Sequence, residues 1–269
     1  MTSVAELVAA MDARYPAATA ESWDRVGLVV GELAAPADRL LLAVDCVPET
    51  VDEAVKAGVD AMVVHHPLLL RGVHSVATDT YKGAVVHRLI RAGIALLVAH
   101  TNADAAVPGV SDALAERLGL LDVATPDPDG MPPVRTGRLA EPMALAELTA
   151  YVAARLPATV SGVRAAGDPR RTISTLALAG GAGDDFLADV ARTGADAYLC
   201  ADLRHHPASE HLAAGRPALI EAAHWATERI WLDALARELR SDLGADIIVS
   251  DVVTDVWTVH AHAEKEPHS

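Results

Sequence analysis

The sequence predicts an α/β protein of two similar domains whose mixed sheets are mostly parallel. Three observations lead there. Apolar runs of strand length alternate with helical patterns, the rhythm of β-α-β units. The stretch Gly-Val-Asp-Ala-Met-Val-Val at 58–64 is echoed by Gly-Ala-Asp-Ala-Tyr-Leu-Cys at 194–200. His-His-Pro stands at 65–67 and again at 205–207, as a duplicated unit would give. The plainer alternative is chance, because Gly-x-Asp-Ala before a strand is common. Finally, ligand-type residues follow apolar runs three times: His65 and His66, then His100 and Asp104, then His224 and Glu228. Open α/β sheets collect ligands at the carboxyl ends of their strands.

The elements follow in order. Residues 40–44 read as a strand, and 48–56 as a helix that opens on Pro48 and acidic residues. Gly58 closes that helix, and 61–64 form the next strand. A helix over 81–91, a strand over 94–99 and a helix over 110–118 capped by Ser111 complete the first half. Residues 125–133, Thr-Pro-Asp-Pro-Asp-Gly-Met-Pro-Pro, break both periods and mark a linker. The expected division is therefore 1–124, a linker at 125–134, and 135–269. Beyond it the pattern gives helices at 145–155, 186–192 and 227–243. Strands are expected at 172–179, 196–200, 218–220, 247–249 and 256–259.

Composition narrows the class. With 269 residues, 51% of them hydrophobic but 3% aromatic, the chain builds its core from Ala, Val, Leu and Ile. A formal charge of −15 argues against nucleic acid or an anionic membrane as partner. Cys46 and Cys200 are too few for a disulfide framework or a thiolate zinc site. The first residues carry Glu6 and no basic segment, unlike a signal peptide. No apolar run nears the ~20 residues of a membrane span. The expectation is a cytoplasmic protein with a small-molecule substrate.

Each constellation has a bland alternative. Adjacent strand residues point to opposite faces, so His65 and His66 can serve two different metals only where the strand has ended and the chain turns. Pro67 supports such an end; the alternative is a pair of ordinary loop histidines. His100 and Asp104 would share one helical face, although Pro108 and Gly109 favour a turn. The alternative has Asn102 or Asp104 capping loop amides. His224 and Glu228, four apart at a helix start, can bind one metal, or Glu228 can bridge two; a first-turn Glu also suits the helix dipole. Together the three strand ends supply about four imidazoles and two carboxylates, enough for one or two divalent metals. Gly180-Gly181-Ala182-Gly183 lacks the Lys-Ser/Thr of a phosphate loop and reads as a tight structural turn. His205 and His206, near Glu210 and His211, read as a solvated helix start. His260, His262 and His268 belong to a polar tail.

The motifs, taken together and in order, resemble one family. They are Trp23-Asp24-Arg25-Val26-Gly27-Leu28, His65-His66-Pro67-Leu68, His100-Thr101-Asn102-Ala103-Asp104 and His224-Trp225-Ala226-Thr227-Glu228. The family is that of the dinuclear metal centre hexameric proteins, often called GTP cyclohydrolase I type 2, and the resemblance covers nearly the whole chain. It implies a two-metal site in the cleft between two α/β domains and a ring-like homohexamer. It implies metal ligands at His65, His66, Asp104, His224 and Glu228, with His100 close by. Arg25, Ala103 and Ala223 stand where the family usually has Asn, Leu and Gly. None of the three is a ligand, but Arg25 and Ala103 would alter the wall of the cleft. A large central insert known in some members has no counterpart here beyond the linker.

The function expected from this is a dinuclear metal-dependent hydrolase. The ligand set suits zinc, iron, manganese or cobalt without choosing among them. The resemblance adds GTP ring opening with formate release. His100 would shuttle protons near neutral pH, and Arg71 or Arg204 would meet phosphates. The other reading is a non-catalytic metal-binding or regulatory hexamer, which a fully ligated centre would favour.

Overall fold

A computed structural model describes residues 1–127 and 130–261; Pro128 and Asp129 of the linker, and His262 and His268 of the tail, lie outside the described residues. In chain order the elements are α1 (Val4–Arg14), β1 (Gly27–Val30), β2 (Arg39–Ala43), α2 (Pro48–Ala57), β3 (Ala61–Val64), α3 (Tyr81–Ala92) and β4 (Ala95–Val98). Then come α4 (Thr101–Ala105), α5 (Val110–Arg117), β5 (Leu121–Ala124), β6 (Arg135–Ala144), α6 (Leu145–Ala153) and β7 (Val163–Ala166). Last are β8 (Thr172–Ala182), α7 (Leu187–Val190), β9 (Ala197–Ala201), α8 (His205–Ala213), β10 (Ala218–Ala222), α9 (His224–Leu243) and β11 (Asp246–Val249).

These strands form two mixed sheets with interleaved helices, ordered β1-β4-β3-β2-β11 and β5-β6-β8-β9-β10-β7. In the first, β4, β3, β2 and β11 run parallel and β1 antiparallel. In the second, β8, β9 and β10 run parallel, flanked by antiparallel β7 and β6, with β5 antiparallel beyond. The blocks β1-β4-β3-β2 and β7-β10-β9-β8 therefore share order and sense. Their details match as well. Asp60 and Asp196 each precede the middle strand. Each carboxylate accepts backbone N–H bonds from the neighbouring strand, Asp60 from Arg39 at 2.9 Å and Asp196 from Ser174 and Thr175 at 2.9 and 3.0 Å. A duplicated unit accounts for both.

The halves are not separable at the linker. β5, before it, pairs with β6 of the second sheet, whereas β11, after it, pairs in register with β2 of the first. The inner faces of the two sheets share one core: Leu40, Leu42, Val63 and Leu97 from one, Leu176, Leu178, Leu199 and Ile220 from the other. The helix α9 fills the space between with Trp231, Leu232, Leu235 and Leu239, all essentially inaccessible. Burying such a side chain stabilises the fold by about 1.5–3 kcal/mol. Trp231 donates its indole N–H to the hydroxyl of buried Tyr15 at 3.0 Å, so its polar edge is satisfied.

Several local expectations need correction. Residues 256–259 form no strand: none of the described residues pairs with them, and Val256 and Val259 are 79% and 83% exposed. Ser111 does not cap α5. Gly109 is the N-cap, and its N–H is satisfied by the Asp112 carboxylate at 2.8 Å, which frees the Ser111 hydroxyl to accept from Gly180 N at 3.0 Å. The long helix begins at His224, three residues earlier than expected, and its first turn carries the site residue His224 beside the core residues Trp225 and Ala226.

Candidate metal centre

The carboxyl ends of β3, β4 and β10 deliver the candidate residues to one place. After β3, the His65 and His66 N–H groups bond back to the carbonyl of Val44 at 3.1 and 2.9 Å, and Pro67 then ends the ladder. His65 is wholly buried, packed on Trp231 with ring centroids 5.4 Å apart. After β4, His100 is the N-cap of the single turn α4, which carries Asp104. After β10, His224 and Glu228 occupy the first turns of α9 with their side chains 2.9 Å apart.

All four imidazoles are tied at Nδ1. His65 Nδ1 meets the Ala99 carbonyl at 2.9 Å, His66 Nδ1 the Asp45 carboxylate at 2.8 Å, His100 Nδ1 the Asp24 carboxylate at 3.0 Å, and His224 Nδ1 the Asp202 carboxylate at 2.6 Å. An oxygen at Nδ1 demands the proton there and leaves Nε2 as the electron-pair donor. Three of these Nε2 atoms point at Glu228: His224 at 2.9 Å, His66 at 3.1 Å and His65 at 3.4 Å. His65 Nε2 also lies 3.6 Å from Asp104 Oδ1, beyond hydrogen-bond reach. Three buried atoms in this centre lack a hydrogen bond: His65 Nε2, Asp104 Oδ1 and Glu228 Oε2.

Electrostatics point the same way. Burial disfavours charge on His66 and His224, but Glu228 and the outer carboxylates outweigh it. His66 is held well above its ordinary range and His224 is pushed up to about 10. Burial would raise Glu228, yet the imidazoles beside it hold it well below the usual carboxylate range. Asp104, buried and near Glu228, is pushed up to about 6. Burial and the charge of His65 push His100 down to about 4. Protons thus fill a place suited to a cation. Donor atoms of His65, His66 and His100, and of His66, His224 and Glu228, each lie within 4.8 Å of one another. These are two overlapping groups of metal-ligand type, and the residues fit a divalent ion.

Gly181 makes the centre possible. Its φ of +69° belongs to the left-handed region, and a Cβ there would lie 2.4 Å from Glu228 Oε1. Its N–H donates to Thr227 Oγ1 at 2.9 Å. The glycine-rich stretch is thus the end of β8 pressed against α9, a strand end and not the expected tight turn.

Sequence reasoning passed over Asp45 and Asp202, and quoted Asp24 only inside a motif. Each lies at or just after an apolar run or beside the cluster, so the strand-end rule that picked the histidines would have found Asp45 and Asp202. Asp202 holds φ +56°, a turn that aims it at His224. Asp24 is buried, and accepts from Thr101 N and Oγ1 as well as from His100. His205 and His206 stay apart from the centre, ring to ring at the exposed start of α8, and His211 is buried with Nε2 on the Pro217 carbonyl at 3.0 Å.

The centre opens on a cavity of about 1040 Å³, walled by His66 and His100 on one side and by Arg164, Glu221 and His224 on the other. The segment 254–260 passes along its mouth, and Thr254 Oγ1 donates to Asp45. Neither Arg71 nor Arg204 lines it, and Arg204 is engaged with Asp184 and Asp185. Of the three departures from the family pattern, Ala223 lines the cavity, whereas Arg25 and Ala103 do not.

Residues 2–256 match the family model described as Duf34/NIF3 (NGG1p interacting factor 3). A Streptomyces coelicolor protein named "GTP cyclohydrolase 1 type 2 homolog" is 51% identical over 97% of this chain and 95% of its own. A Mycobacterium tuberculosis protein of the same name is 36% identical over 95% of this chain and 97% of its own; that alignment runs to 368 positions, so it carries residues absent here. The structure of a Bacillus cereus protein related to NIF3 superposes with a TM-score of 0.88 at 20% identity, covering 97% of this chain and 99% of that one.

Proposed function

Because this chain belongs to the Duf34/NIF3 family, we propose that it is a dinuclear metal-dependent hydrolase of a small molecule, working as a cytoplasmic homohexamer. The observation that carries the reading is the set of three buried, unpartnered donor atoms on His65, Asp104 and Glu228, amid imidazoles whose Nε2 atoms face inward. His65, His66, Asp104, His224 and Glu228 would hold two divalent ions of zinc, iron, manganese or cobalt. Such ions supply Lewis acidity and activation of water. Asp45 and Asp202 fix the tautomers of His66 and His224. His100, oriented by Asp24 at the cavity wall, carries a proton between substrate and solvent. Ring opening of GTP with formate release is the first reaction to assay, since relatives bear that name.

Elemental analysis and a turnover panel of GTP, other nucleotides and phosphoesters test this. The expected result is about two ions per chain, lowered by His66→Ala and by Glu228→Ala, and turnover lost in both. Wild-type protein without metal, or variants with equal metal, sinks the proposal. A second reading, a metal-binding or regulatory protein without turnover, draws support from the proximity of His100 to His65 and His66. As a ligand, His100 would fill a position that catalysis needs open. His100→Ala separates the two: metal retained with turnover lost marks a shuttle, and metal lost as in Asp104→Ala marks a ligand.

A further inference from the structure

We infer that the cavity takes a neutral, planar nitrogen heterocycle with N–H donors, a free base or nucleoside, in preference to its phosphorylated form. This deepens the hydrolase reading by naming a substrate class, and rests on it for the chemistry only.

Charge is the first argument. Five carboxylates, Asp24, Asp45, Asp104, Asp202 and Glu228, are turned onto the imidazoles of the centre. Two divalent ions, the number this type of centre holds, would not offset them. Farther out, Arg164 is the sole Arg or Lys among the described lining residues, and its guanidinium lies 2.7 Å from Glu221. A triphosphate entering here meets carboxylates without an unengaged guanidinium or ammonium group, and like charges at short range repel.

Asp255 lines the cavity, and its Oδ2 is buried with no hydrogen-bond partner among the described residues. A carboxylate of this kind is satisfied by N–H groups, which the amide or amidine edge of a heterocycle offers. Two residues on, Trp257 lines the same cavity and remains 65% exposed. The chain has only four tryptophans and one phenylalanine, so a large ring left open at a cavity is not a by-product of an aromatic-rich surface. A planar ligand covers such a face by stacking. Acceptor and flat ring lie on one short segment, beside the metal centre.

Guanosine and GTP differ only by the phosphates and therefore test the idea. Binding of each to the full, metal-loaded chain is measured by calorimetry, with free metal held constant. Guanosine is expected to bind at least tenfold more tightly than GTP. Trp257→Ala should weaken guanosine about tenfold. Asp255→Asn should weaken guanosine and leave GTP unchanged or improved, with metal content unaltered in both variants. GTP binding equal to or tighter than guanosine, binding of neither, or guanosine binding indifferent to both substitutions overturns the inference. Guanosine bound as expected but never turned over, with no turnover elsewhere in the panel, would instead overturn the hydrolase reading and leave this one standing.

Discussion

Asp202 shows how much of the centre depends on residues that touch no ligand atom. Its carboxylate holds His224 Nδ1 at 2.6 Å and so turns Nε2 toward Glu228. Asp202→Asn keeps the shape but loses the charge that fixes the tautomer. Metal affinity is expected to fall about 10–100-fold, read by competition with a chelator; unchanged affinity would remove Asp202 from the centre. Gly181→Ala acts by bulk. Its Cβ would intrude to 2.4 Å from Glu228 Oε1 at a φ of +69°. Urea unfolding should show a loss of about 1–2 kcal/mol from the backbone alone, together with reduced metal content. The residues singled out from sequence were legible because each follows an apolar run. Asp45 and Asp202 follow strands too but were passed over, since a carboxylate there is ordinary until an imidazole is seen beside it, and Asp24 follows no strand.

Among elements, the strands at the middle of each sheet announced themselves. β3 and β4, and β2 after Arg39, are buried throughout and read as runs of Leu, Val, Ala and Met. The flanking strands did not. All four residues of β5 are exposed, and β7 is half-exposed, so neither carries a run or a clean alternation. The two aspartates that precede the middle strands suggest an element-scale test. Burial would raise the Asp196 carboxyl, but hydrogen bonds from Ser174, Thr175 and the Thr175 hydroxyl outweigh it and lower its pKa. A lowered folded pKa means stability that is present above the unfolded value, near pH ~4, and lost as pH falls through the folded value. Asp196→Asn should therefore cost about 1 kcal/mol at neutral pH. The gap to wild type should narrow on the acid side. Parallel urea-midpoint curves from pH 7 to pH 3 would refute the assignment.

At the scale of the whole molecule, the proposed hexamer has a physical counterpart in exposed apolar side chains. Trp23, Ile90, Val107 and Val256 are 53–79% exposed, apolar surface that an assembly would bury. Light scattering at micromolar concentration is expected to give six chains, and a monomer mass would rule the hexamer out. The α/β class, two mixed sheets with interleaved helices, was legible from the strand-helix rhythm. The pairing of β11 with β2 was not, because sequence order carries no information about which sheet a late strand joins.

That pairing has a consequence in time. On a ribosome β2 is complete when residue 43 emerges, and its parallel neighbour β11 begins only at residue 246. At about 5–20 residues per second the wait is roughly 10–40 s. Throughout it, Leu40, Leu41 and Leu42, inaccessible in the finished protein, lie on an unpaired strand edge of the kind that recruits other chains. The nascent first half must be shielded for that interval, and a prematurely terminated chain carries the same open edge permanently.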